Sequence, residues 1–65
     1  MMIGDPYHAV NMRTIMAYLR TKGGSAEIHA SYFGMSNGEY TAAIHRLKAN
    51  GRIRLAGKST WEVVE

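Results

Sequence analysis

Cysteine is absent from this chain, and only one of its 65 residues is proline. Without thiols, neither a disulfide framework nor a thiolate metal site supplements the core, which must come from apolar packing alone. Aromatic side chains are sparse: four Tyr, one Trp and one Phe. Most of the 46% apolar content is therefore aliphatic, with five methionines suited to filling gaps. No apolar run approaches the ~20 residues that span a bilayer. The N-terminal Met1-Met2-Ile3-Gly4-Asp5-Pro6 also lacks the basic start and apolar stretch of a signal peptide. A soluble, cytoplasmic protein with no membrane partner is expected.

Acid is missing where it matters most. Between Tyr40 and Trp61 there is no Asp or Glu, while Arg46, Lys48, Arg52, Arg54 and Lys58 all fall in that window, with His45 beside them. The net charge of +3 is thus concentrated in one half of the chain. Such a surface suits a polyanionic partner, or serves simply as a solvated face that keeps the protein soluble. Charge alone does not choose between the two.

Catalysis finds no support. His8, His29 and His45 lack metal-ligand spacing and have no cysteine to join them. Asp5, Glu27, Glu39, Glu62 and Glu65 show no pairing suited to acid–base work, and Gly23-Gly24 lacks the Lys-Ser/Thr context of a phosphate loop. No enzyme activity, metal or cofactor is expected.

The length allows one domain, over residues 1–65, which buries only about 60% of the surface of its unfolded chain. Residues 1–5 are expected to be disordered. Asp5-Pro6 reads as an N-cap followed by proline at the first helical position. Met12, Ile15, Met16 and Leu19 then recur at i, i+3, i+4, i+7, and Gly23-Gly24 stops the helix, giving a span of about 6–22. Ser25 as a cap and Glu27 in a first turn predict a short second helix, about 26–33, with Ile28, Tyr32 and Phe33 facing the core and Gly34 ending it. The alternative for Tyr32 is partial exposure with Tyr7 and Tyr18, where an exposed pair would suggest a protein interface. In that helix His29 is a packing residue. Ser36-Asn37-Gly38-Glu39 reads as a capping box, followed by Tyr40, Ala43, Ile44 and Leu47 at helical spacing, so a third helix spans about 37–50 before Asn50-Gly51. Beyond Gly51 the period becomes two. A hairpin over about 52–64 places Ile53, Leu55, Trp61 and Val63 inside, with Arg52, Arg54, Thr60 and Glu62 outside.

Three helices followed by a hairpin is the order of a winged helix-turn-helix. Ile15-Met16-Ala17-Tyr18-Leu19, Gly23-Gly24-Ser25-Ala26-Glu27-Ile28, Leu47-Lys48-Ala49-Asn50-Gly51-Arg52-Ile53 and Thr60-Trp61 resemble winged-helix transcription regulators, above all the small FaeA-like regulators of fimbrial operons. The likeness runs from about Met12 to Val64. It departs at His29, where the family pattern has a small alanine, and in a turn one residue longer through Phe33-Gly34-Met35. The resemblance implies transcriptional control by binding double-stranded DNA, beside a larger DNA-bound regulator.

On that mode the third helix enters the major groove and the hairpin, or wing, lies along the backbone. The face opposite the apolar stripe carries Gly38, Ala42, His45 and Ala49, flanked by Thr41, Arg46 and Lys48. Gly38 and Ala42 permit close approach to base edges, Thr41 and His45 offer hydrogen bonds, and Arg46 and Lys48 suit phosphates. Asn37 suits either a base or a phosphate. Arg54 and Lys58 in the wing are expected at phosphates or in the minor groove, or as charges that guard a sheet edge. The face lacks a central Arg, Asn or Gln, so base specificity from it is expected to be modest. The alternative function is a protein-binding adaptor or inhibitor, for example phage-encoded, built on the same scaffold.

Overall fold

The computed structural model describes residues 6–64 of the chain, with side chains from Ala9 onward. The expectations placed on residues 1–5 and on Glu65, including the Asp5 cap, lie outside the described residues. Two α-helices, a single 3-10 turn and three antiparallel strands follow one another: α1 (Pro6–Thr21), β1 (Ser25–Glu27), the 3-10 turn (Ala30–Phe33), α2 (Asn37–Ala49), β2 (Ile53–Leu55) and β3 (Thr60–Val63). The sheet order is β1-β3-β2.

Both helices end in the same way, and glycine is the reason. After α1, Gly24 N–H donates to Leu19 O at 2.8 Å and Gly23 N–H to Arg20 O at 3.2 Å. After α2, Arg52 N–H donates to Leu47 O at 2.9 Å and Gly51 N–H to Lys48 O at 3.0 Å. Each is a Schellman pair, and each needs a left-handed residue, supplied by Gly23 (φ 84) and Gly51 (φ 72). The start of α2 is equally well made. Ser36 Oγ accepts from Glu39 N–H at 3.1 Å, and Ser36 N–H donates to Glu39 Oε1 at 2.9 Å, which completes the capping box.

The expected second helix over 26–33 does not form. A strand and one 3-10 turn take its place. Ser25 is no cap but the first residue of β1, paired with Glu62, and Ala26 and Glu27 pair with Trp61 and Thr60. Two further backbone bonds extend this pairing: Val63 N–H to Gly24 O at 2.7 Å and Ile28 N–H to Ser59 O at 3.1 Å. The paired strand uses the backbone groups that a helix beginning at 26 would need for itself. What helicity remains is closed by Gly34 at φ 68, with Met35 N–H donating to Ala30 O.

The hairpin register matches its predicted faces. Ile53 lies opposite Val63, Leu55 opposite Trp61, and Arg54 opposite Glu62. The core comprises Ile15, Met16 and Leu19 of α1, Ile28 just after β1, Ala43, Ile44 and Leu47 of α2, and Ile53 of β2, with Trp61, Val63 and Tyr40 packed against it. Two positions differ from expectation. Leu55 shares the inner parity and pairs with Trp61 but is 53% exposed. Tyr32 is 51% exposed rather than core-facing, because the 3-10 turn presents it outward.

Candidate nucleic-acid interface

The exposed side of α2 is set by what its other side buries. Ala43, Ile44 and Leu47 are buried and Tyr40 is half-buried, which leaves Asn37, Gly38, Thr41, His45, Arg46, Lys48 and Ala49 exposed. Ala42, on the same outer side, is half-buried. At ~100° per residue, Gly38, Ala42, His45 and Ala49 form the middle of this face, with Thr41 and Lys48 on one flank and Arg46 on the other. The two cations therefore diverge to opposite sides of a central strip of small or weakly polar groups. That arrangement offers charge to two rails and little bulk between them.

The N-terminus of α2 is already occupied. The Glu39 carboxylate sits on the Ser36 amide, so the anion favoured by the helix dipole is supplied from within the chain. Anion contact on this helix thus falls to its flank and C-terminal cations.

The hairpin loop is tied to the first turn of α2 through one residue. Ile28 N–H donates to Ser59 O, while the Tyr40 hydroxyl donates to Ile28 O at 3.3 Å. Burial raises the Tyr40 phenol above its ordinary 10.0, so it stays neutral and remains a donor. Lys58, next to Ser59, is exposed in the loop between β2 and β3. The loop is pinned at its neck by Ala56 N–H to Thr60 O at 2.8 Å.

Arg54 is placed differently from a free phosphate ligand. Its Nε–H donates to Glu62 Oε1 at 2.6 Å across the β2–β3 pair. Arg46, Lys48, Arg52 and Lys58 are exposed and have no ion-pair partner among the described residues. Pairing the two hairpin strands by their inner residues, Ile53 with Val63 and Leu55 with Trp61, sets Arg54 against Glu62. The sequence therefore held the signal for this ion pair, and reading the charges one by one missed it.

A second surface feature surrounds the 3-10 turn. Tyr18 meets Phe33 edge-on at 5.3 Å and Tyr32 at 6.2 Å, while His29 meets Tyr32 edge-on at 5.4 Å. Lys22 Nζ lies 5.5 Å from the Tyr18 ring centre. His29 is not a helix-packing residue: it is exposed in extended backbone, with Nε2 3.1 Å from Glu27 Oε2. The packing role expected of His29 rested on a second helix, and a strand stands there instead. His45 is exposed on α2, as its spacing predicts.

Among the described residues no group of three or more His, Cys, Asp or Glu comes together, and no helix is long and apolar enough to cross a membrane. Comparison with protein-family models, curated proteins and solved structures finds no match to this chain.

Proposed function

We propose that the chain is a small winged-helix regulator of transcription that binds double-stranded DNA in the cytoplasm. α2 enters the major groove and the β2–β3 hairpin is the wing along the adjacent backbone. One observation carries the reading: Arg46 and Lys48 on the exposed side of α2, Arg52 just before β2 and Lys58 in the hairpin loop have no ion-pair partner among the described residues, while the Glu39 carboxylate is held in the cap of α2. The packing is compatible with it: β1 is hydrogen-bonded to β3, both strands pack on α1, and α2 packs its apolar side on α1 and β2 with its other side exposed. At 13 residues α2 is ~20 Å long, enough to lie in a groove about 12 Å wide.

Arg46 and Lys48 hold the two phosphate rails, and Thr41 and His45 meet base edges between them. Asn37 and Gly38 approach from the helix start, and Ala42 allows a close fit. Lys58 anchors the wing. With no central bidentate side chain, specificity from α2 is modest, and a larger DNA-bound regulator alongside completes it.

A second reading rests on the aromatic cluster. Tyr32, half exposed beside Tyr18 and His29, gives the chain a surface suited to another protein, as an adaptor or inhibitor requires.

Titration of isotope-labelled protein with a mixed-sequence duplex separates the two. The DNA reading expects amide shifts over residues 37–48 and 52–59 that fade as salt is raised. Absence of shifts at low salt moves the function to the aromatic face.

A further inference from the structure

We infer that Glu62 restrains the wing: it holds the Arg54 guanidinium in an intramolecular pair and so lowers the affinity of this surface for a nucleic-acid backbone. The inference rests on the DNA-binding reading above. Its basis is the hairpin's own charge arrangement. Arg52, Arg54 and Lys58 are the cations between residues 52 and 64, and Glu62 is the only acid among them. The β2–β3 register sets Glu62 directly opposite Arg54, and the side chains meet at 2.6 Å on the outer face of the sheet.

The exposures make the pair a brake rather than a structural clasp. The Arg54 side chain is 69% exposed and that of Glu62 37%. An exposed pair of this kind contributes little to folding, so its replacement leaves the hairpin standing. Its effect on a polyanion is larger. A phosphate approaching Arg54 meets a carboxylate already bound to Nε, and the two acids compete for one guanidinium. Of the other described acids, Glu27 of β1 is turned to His29, and Glu39 is held in the cap of α2. Among the described acids, only Glu62 touches a cation of the wing. Arg54 is thereby oriented outward but neutralised, and the wing engages DNA with Lys58 and Arg52 unless the pair opens.

The test is a four-protein cycle: the native chain, Glu62→Gln, Arg54→Ala, and both together. Binding to a labelled mixed-sequence duplex is followed by anisotropy from 50 to 200 mM salt. Gln keeps the shape of Glu62 and an acceptor oxygen, and matching amide spectra of the four free proteins establish that the fold is kept. With Arg54 present, Glu62→Gln is expected to raise affinity at low salt roughly threefold, the scale of an exposed ion pair. The plot of log affinity against log salt should steepen by about 0.9, one additional phosphate contact. In the Arg54→Ala background the same change should leave that slope unaltered. Equal gains in both backgrounds would overturn the inference, since Glu62 would then act through the general field and not through Arg54. An unchanged Glu62→Gln protein that still binds DNA also overturns it while leaving the DNA reading intact. Failure of all four to bind removes the DNA reading and this inference together.

Discussion

Thr41 and His45 are exposed on α2, and neither makes a side-chain hydrogen bond or ion pair among the described residues. Replacing them removes nothing that the fold uses. Substitutions of this kind shift stability by about 0.5 kcal/mol or less. Thr41→Ala and His45→Ala should therefore keep the native thermal midpoint while changing the ranking of different duplexes, by at most about 1–3 kcal/mol per altered contact. Lys58→Ala is expected to behave oppositely. A lysine bound to phosphate carries no sequence information, so every duplex should weaken alike and the salt slope should fall by ~0.9. Anisotropy against a small panel of duplexes distinguishes these patterns. Constant relative affinities in both α2 variants would mean that the helix does not read bases, and a Lys58 effect confined to one sequence would take that residue off the backbone.

At the scale of elements, α2 depends on its first turn. Ser36→Ala deletes the hydroxyl that accepts from Glu39 N–H, a change that costs ~1 kcal/mol in a typical helix. In a domain of this size that corresponds to a drop of about 4–8 °C in the thermal midpoint, readable by circular dichroism. A midpoint unmoved by Ser36→Ala would show that tertiary packing through Ala43, Ile44 and Leu47 fixes α2 without its cap. This element was legible in the sequence because its signals are local: the box at 36–39, the apolar stripe, and Gly51 after the last turn. The stop of α1 at Gly23-Gly24 and the faces of the hairpin were legible for the same reason. β1 was not. Ser25-Ala26-Glu27-Ile28 does alternate between exposed and inward residues, yet so short a segment displays no period that a helix start could not mimic. What makes it a strand is its pairing with Thr60, Trp61 and Glu62, more than thirty residues further along the chain. The outward turn of Tyr32 and the changed role of His29 both follow from that one distant pairing.

Across the whole molecule, the uneven distribution of charge was visible in the sequence, but the number of charges available to a partner was not. Five Arg and Lys residues lie between Tyr40 and Trp61. The fold withdraws Arg54 by pairing it with Glu62 and leaves Arg46, Lys48, Arg52 and Lys58 without an acid partner among the described residues. That count fixes a magnitude. Four phosphates neutralised at a slope of about 0.9 each predict that affinity falls on the order of a hundredfold between 50 and 200 mM salt. A contact through Tyr18, Tyr32 and His29 makes a different prediction, since burial of aromatic surface releases few counterions and its affinity barely responds over the same range. The slope also checks the division of labour between helix and wing. A value near four phosphates requires both, whereas a value near two leaves either the α2 pair, Arg46 and Lys48, or the hairpin pair, Arg52 and Lys58, out of contact. Repeating the salt series with Arg46→Ala and Lys48→Ala combined identifies which pair is missing. If the slope then falls to zero, α2 alone carried the binding. A slope unchanged from native would mean that the hairpin binds DNA without α2 in the groove, and the winged-helix mode of binding would have to be abandoned.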